Sequence, residues 1–322
     1  MSHVLIEIGL EEMPAKMVKG AMEQFKEKTE NWFKENRIGF TQVKAFSTPR
    51  RLAVRIEDVS DAQEDIVDEA KGPAKQIALD QAGNWSKAAI GFSKGHKKTV
   101  DDIYFKEVNG VEYCFVKIEQ KGLKTKELLP SIQSVLTSLT FPKNMKWGSY
   151  DFKFVRPIKW ILALYGSEVI PFTITDVETG RLTRGHRFLG NEVEIENPED
   201  YEEKLLSQYV LVQYKERKKA IRQQLEKLAE AEGWIIPIDE ELLEEVTNLV
   251  EYPTVLFGQF DQEFLALPPE VLITTMKEHQ RYFPVKDQSG SLLPYFVTVR
   301  NGDHRYIEKV AKGNEKVLSA RL

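Results

Sequence analysis

Basic residues are unevenly placed in this chain of 322 residues, and they gather in three islands against a net charge of −5. Thr48-Pro49-Arg50-Arg51 sets two guanidinium groups at a turn. Within residues 143–159, five bases (Lys143, Lys146, Lys153, Arg156, Lys159) meet one acid, Asp151, and Trp147, Tyr150, Phe152, Phe154 and Trp160 are interleaved nearby. Arg181, Arg184 and Arg187 surround Gly185-His186. A guanidinium fork grips phosphate through two parallel N–H bonds, and aromatic rings stack on unpaired bases, so the chemistry of these islands is that of binding folded RNA. The 183–187 segment is the most specific of the three, because a glycine between Arg and His lets the backbone turn sharply or approach a ligand. Each island also has a plain structural reading: the aromatics as core, the arginines as solvated or paired within the chain.

The elements that must hold these residues follow from hydrophobic patterning. Val4-Leu5-Ile6-Glu7-Ile8 reads as a short buried strand. Pro14 suits the first turn of a helix running through Trp32-Phe33 toward Gly39. Leu52, Val54 and Ile56 alternate with polar or small residues, so the turn at 48–51 enters a strand. Residues 61–69 carry five acids and no base, the pattern of a solvated connector or exposed helix start. Residues 72–98 look helical and polar, broken by Gly83, Gly91 and Gly95. Asn109-Gly110 between two alternating runs signals a tight hairpin. Leu128, Leu129, Ile132, Val135, Leu136 and Leu139 predict a helix stopped by Pro142. Trp160-Ile161-Leu162-Ala163-Leu164-Tyr165 predicts a central strand, with residues 169–174 as the next. A basic helix over 214–232, an acidic helix over 239–250, a strand at 254–257, a helix opened by Pro268-Pro269 and a strand at 295–299 complete the reading. The class is α+β, with mixed sheets flanked by helices. We expect an N-terminal α/β domain over 1–196, with 61–142 as a possible insertion, and a second α+β domain over 197–322.

Composition narrows the function. The chain is 42% hydrophobic and 30% charged, ample for packed cores and unlike a disordered protein. The single cysteine, Cys114, excludes an intrachain disulfide and points to a reducing compartment, with a half-buried strand thiol the simplest reading. No signal-peptide pattern opens the chain and no apolar run is long enough to span a bilayer, so a cytoplasmic protein is expected. A phosphate-binding loop, a dinucleotide fingerprint and a Cys-x-x-Cys pair are missing. The histidines at 3, 96, 186, 279 and 304 lie scattered, and Asp303-His304 reads as a turn. A binding subunit is expected, with no catalytic or metal-binding residues.

A series of motifs then carries a resemblance. Glu7-Ile8-Gly9-Leu10-Glu11-Glu12-Met13-Pro14-Ala15, Thr48-Pro49-Arg50-Arg51-Leu52-Ala53, Met145-Lys146-Trp147-Gly148, Phe154-Val155-Arg156-Pro157-Ile158-Lys159-Trp160 and Thr183-Arg184-Gly185-His186-Arg187-Phe188 occur in order. Glu245-Val246-Thr247-Asn248-Leu249-Val250-Glu251-Tyr252-Pro253, His279-Gln280-Arg281-Tyr282-Phe283 and Gly313-Asn314-Glu315-Lys316-Val317-Leu318-Ser319-Ala320-Arg321-Leu322 follow. Together they resemble the beta subunit of bacterial heterotetrameric glycyl-tRNA synthetase over essentially the whole chain. Lys146 stands where that family suggests arginine, losing bidentate geometry.

The resemblance implies a tRNA-binding portion of a glycine–tRNA ligase, inactive alone and needing an alpha subunit for ATP-dependent charging of tRNA-Gly. It places ATP and magnesium at the alpha subunit and implies no cofactor in this chain. It also implies that the family's chains continue into a helical region of the HD-phosphohydrolase type and an anticodon-binding domain, so that this chain is the N-terminal part. Candidate tRNA contacts are Arg50, Arg51, Lys146, Arg156, Arg184, His186, Arg187, His279 and Arg281. Two other readings stay open: an editing-type hydrolase-like domain acting on mischarged tRNA, and a purely structural assembly module.

Overall fold

The computed structural model describes residues 1–322, which form two compact units. The larger comprises residues 1–35, 40–59 and 129–322, and the smaller residues 36–39 and 60–128.

The larger unit is built on a mixed sheet. Its strands run Gln42–Thr48, Arg51–Val59, Ser2–Leu10, Ile158–Tyr165, Val177–Gly180 and Thr173–Ile174 in spatial order, with Glu168–Val169 also paired to Ile158–Tyr165. All neighbours are antiparallel except Val177–Gly180 against Ile158–Tyr165. Successive side chains of a strand point to opposite faces, so the opening strand presents two different surfaces. Val4, Ile6 and Ile8, opposite Ile56, Val54 and Leu52, form a wholly apolar face. The helix Ala15–Glu35 packs on the hairpin of Gln42–Thr48 and Arg51–Val59, burying Val18, Ala21, Phe25 and Phe33. Leu5, Glu7 and Gly9 fall on the other face. There Leu5, Phe46, Ala53, Leu162 and Leu164 share a core with Ile195, Tyr201, Leu205, Val210 and Val212. Sequence patterning suggests a domain boundary at 196/197, yet Ile195 and Tyr201 lie in one cluster, because the second layer over this sheet comes from both sides of that position.

A second sheet pairs Pro253–Gln259, Leu292–Asn301 and Phe283–Lys286, all antiparallel. The helices Tyr214–Glu232 and Glu240–Thr247 bury Ile221, Leu225, Leu243 and Val246 with Phe283, Val285 and Val297 of that sheet. Gly233, in left-handed conformation at φ 68°, ends the first of these helices.

The smaller unit holds Ile66–Ala74, Val111–Gln120 and Tyr104–Val108 as a three-stranded antiparallel sheet, with the short helices Lys75–Ala78 and Lys87–Gly95. Its core of Ala78, Ala89 and Cys114 is lined by Trp85, Phe92, Ile103 and Phe105. Asn109 and Gly110 adopt φ of 53° and 80°, both left-handed, as a two-residue type I′ hairpin requires. Burial pushes the Cys114 thiol pKa up, away from nucleophilic use.

Two local expectations need correction. The acidic stretch near 61–69 leads into an edge strand beginning at Ile66, where Glu69 accepts from Tyr104 and pairs with Lys106. An exposed edge tolerates charges that a central strand would not. The helix expected over 128–139 is a 3₁₀ turn, Leu129–Ile132, followed by Gln133–Thr137, since Pro130 has no N–H to continue an α-helical ladder. No helix is long and apolar enough to cross a membrane.

Candidate nucleic-acid interface

Glu7 sits wholly buried in the centre of the first sheet, an expensive place for a carboxylate unless every lone pair is used. Here they are. Trp160 Nε1 and Thr183 Oγ1 donate to one oxygen, and Tyr201 OH and Arg51 Nη1 to the other. Arg51, fully buried, reaches a second carboxylate, Glu251, with Nε and Nη2 at 3.0 and 2.9 Å from the same oxygen. Thr48 Oγ1 donates to that oxygen at 2.7 Å, and Arg50 Nη1 lies 3.3 Å from the other. Two carboxylates and two guanidiniums therefore balance inside the fold.

The electrostatics follow this pairing. Burial opposes ionisation of Glu251, but Arg51, the Thr48 hydroxyl and Arg50 outweigh it and hold the carboxyl below its usual range. Burial lowers the pKa of Arg51 as well, and Glu251 and Glu7 more than reverse this. Burial and then the Glu7 charge hold the Tyr201 hydroxyl protonated. Arg217, also fully buried, donates to the Thr247 and Leu211 carbonyls at 2.9 and 2.8 Å. Its pKa falls to about 10, mainly through burial.

Gly9 belongs to the same construction. A Cβ there would come within 1.8 Å of the Trp160 ring, so only glycine lets the indole lie across the strand and reach Glu7. The guanidiniums of Arg50, Arg51 and Arg184 stand 5.7, 5.5 and 5.0 Å from the same ring, within cation–π range.

From this buried frame the 183–188 loop continues a hairpin strand: Leu182–Arg184 pairs antiparallel with Glu192–Glu194, and the connection between them carries His186, Arg187 and Phe188. His186 is only 2% exposed. Its Nδ1 accepts from the Phe188 and Leu189 backbone N–H groups, so the proton belongs on Nε2, which donates to Asn301 Oδ1 at 3.0 Å. Asn301 Oδ1 also accepts from the backbone N–H groups of Glu251 and Tyr252. The arginines on either side remain accessible: the Arg184 side chain is 42% exposed, opposite Glu192, and that of Arg187 is 43% exposed, against Glu11. Phe188 is 84% exposed.

The nine candidate residues thus divide. Arg50, Arg51 and His186 are buried and hold the loop's base, whereas Arg184 and Arg187 form its rim. Arg156 donates to the Glu12 and Val155 carbonyls, and Lys146 is exposed beside Asp151. His279 is exposed at the end of a π-helical turn, Thr275–Gln280. Arg281 follows it at φ 60° and bonds Glu245 at 2.7 Å. Arg281 opens on a polar cleft of about 440 Å³ shared with Lys16, Asp239 and Lys277, whose partners differ from those of the 183–188 loop. Sequence reasoning missed Glu7, Tyr201, Glu251 and Asn301. The available signal was an acid, Glu7, inside an otherwise apolar strand.

Against known proteins, residues 4–322 match the family described as glycyl-tRNA synthetase beta subunit. The chain belongs to that family. It is 60% identical over 319 residues to the glycine–tRNA ligase beta subunit of Bacillus subtilis, covering 99% of this chain and 47% of the relative. The corresponding subunits of Halalkalibacterium halodurans and Listeria monocytogenes are 58% and 57% identical over 318 residues, each covering 99% of this chain and 46% of the relative. The chain spans about half the length of the curated relatives it matches.

Proposed function

We propose that this chain is a tRNA-binding, non-activating portion of a glycine–tRNA ligase. In this reading it works with an alpha subunit in ATP-dependent charging of tRNA-Gly, with ATP and magnesium at the alpha subunit. The observation that carries it is the pair Arg184 and Arg187, kept half exposed on a loop whose base is fixed by buried ion pairs and by Asn301. A rigid base spares the arginines part of the ordering cost of binding, and each fork fits a phosphate. Lys146 and His279 offer further exposed positive or hydrogen-bonding groups. Arg50 and Arg51 act from inside by holding the loop, and Arg156 and Arg281 reach solvent only in part. Exposure of the loop favours a binding surface over an enclosed hydrolytic pocket.

The test is tRNA affinity and thermal midpoint measured on the same Arg184→Ala and Arg187→Ala variants. Each should weaken binding by about 1–3 kcal/mol and reduce the salt slope by about one. Unchanged affinity with a lowered midpoint would make Glu192 and Glu11 the arginines' true partners and overturn the reading.

A further inference from the structure

Four aromatic side chains stand out at the surface: Phe188 at 84% exposure, Tyr306 at 73%, Phe257 at 38% and Tyr209 at 36%. Single exposed rings are ordinary in a folded protein. Three of these four, however, lie on segments joined through Asn301. Phe188 follows His186, whose ring bonds Asn301 Oδ1. Tyr209 packs edge-on against Tyr252, whose N–H donates to the same oxygen, and the neighbouring Gln208 carbonyl accepts from His186 N. Tyr306 closes the short loop after Asn301, which Arg300 braces by donating to the Asp303 and Arg305 carbonyls.

The backbone adds a second observation. Tyr209 and Tyr306 adopt φ of 58° and 57°, a left-handed conformation that costs a tyrosine free energy. Bearing that strain presents a large ring to water in the case of Tyr306. Cations accompany the rings: Arg184 and Arg187 on one loop, Arg305 with its side chain 59% exposed on the other, and Lys309 at 5.4 Å from the Tyr306 ring. Their intrachain partners are Glu192, Glu11, Glu12 and Asp303. Exposed rings interspersed with arginines suit a strand whose bases are free to stack and whose phosphates need neutralising. A duplex offers the phosphates but hides the faces of its bases.

We propose that the surface around Asn301 is a single-stranded RNA site, with unpaired bases stacked on Phe188 and Tyr306 and their phosphates against Arg184, Arg187 and Arg305. This rests on the RNA-binding reading above and names the part of the RNA that is held. The site distinguishes unpaired from paired nucleotides by ring contact and carries no base-edge readout.

The experiment measures binding of a labelled single-stranded RNA of mixed sequence, and of the same sequence as a duplex, to the 322-residue chain. Phe188→Leu and Tyr306→Leu keep an apolar side chain but remove the ring. Each should weaken single-strand binding about 5- to 150-fold, leave duplex binding and the salt slope in place, and not lower the thermal midpoint. Phe188→Tyr and Tyr306→Phe should bind as the parent does. If the leucine variants hold single strands as tightly as the parent while Arg187→Ala weakens them, stacking is refuted and the phosphate reading stands. If the parent binds neither RNA form, both readings fall. If the leucine variants lose capture of an alpha subunit and keep RNA, the rings belong to a protein interface and the proposal is overturned.

Discussion

Arg51 and Glu251 lie 200 residues apart in the chain, yet Arg51 Nε donates to a Glu251 oxygen at 3.0 Å with both side chains shut off from solvent. Removing either one leaves the other short of a partner inside the fold: Arg51 would keep Glu7 as its one carboxylate, and Glu251 only Arg50 and Thr48. A buried pair is a poor source of net stability, since its attraction is largely offset by desolvation, but losing one partner leaves an uncompensated charge. The pair's role is to fix the hairpin turn at 48–51 against the segment that leads into Pro253–Gln259.

Glu251→Gln should therefore destabilise the fold by about 3–5 kcal/mol, the range for breaking a buried pair. It should also change the acid limb. The native Glu251 carboxyl titrates below its unfolded value near 4.3, so its contribution is complete above that value and disappears as pH falls through the lowered native pKa. Urea unfolding followed from neutral to acid pH should show a shallower loss of stability in the variant than in the parent.

Two glycines should respond oppositely to alanine. Gly9→Ala drives a methyl into the Trp160 ring, which Glu7 holds in place, and should cost about 1–3 kcal/mol or more. Gly20 lies exposed in the helix Ala15–Glu35 with open space where a Cβ would go, and Gly20→Ala should add about 0.5–1 kcal/mol. Thermal or urea midpoints of both variants decide this.

His186 should be the Nε2–H tautomer, visible as the nitrogen carrying the proton in a long-range ¹⁵N–¹H spectrum at neutral pH. Asn301→Ala removes the acceptor shared by His186 and two backbone N–H groups. Hydrogen exchange at Glu251 and Tyr252 should then accelerate, with a cost of about 1–3 kcal/mol.

The chain by itself should show no glycine-dependent ATP–pyrophosphate exchange, because the proposed division of labour leaves activation to the alpha subunit. Exchange by the pure chain, unaffected by removal of contaminating synthetase, would defeat that division.

Much of the scaffold was legible because its signals are local. The apolar run before Gly166 gave Ile158–Tyr165, and the patterned stretch ahead of Gly233 gave the helix Tyr214–Glu232. Pro130 was equally local and should have limited the 128–139 helix. The candidate site was legible only as residue types. Arg50 and Arg51 look the same in sequence as Arg184 and Arg187, and only pairing decides which are buried. Glu7 meets its donors 44 to 194 residues away, and Thr48 meets Glu251 across 203. No window of sequence contains both ends of such a contact.

The position of Ser2–Leu10 inside the first sheet has a consequence for biosynthesis. Its partners on either side are Arg51–Val59 and Ile158–Tyr165, and the charge balance beside it waits for Glu251. At a translation rate of ~5–20 residues per second, about 10–40 s pass between the emergence of Arg51 and that of Glu251. Until Ile158–Tyr165 emerges the nascent chain carries an apolar strand with an open edge, and throughout the interval it carries an arginine short of its second carboxylate. Completion of the larger unit's buried charge balance therefore waits for Glu251, and this interval is when chaperone holding of the nascent chain would matter most.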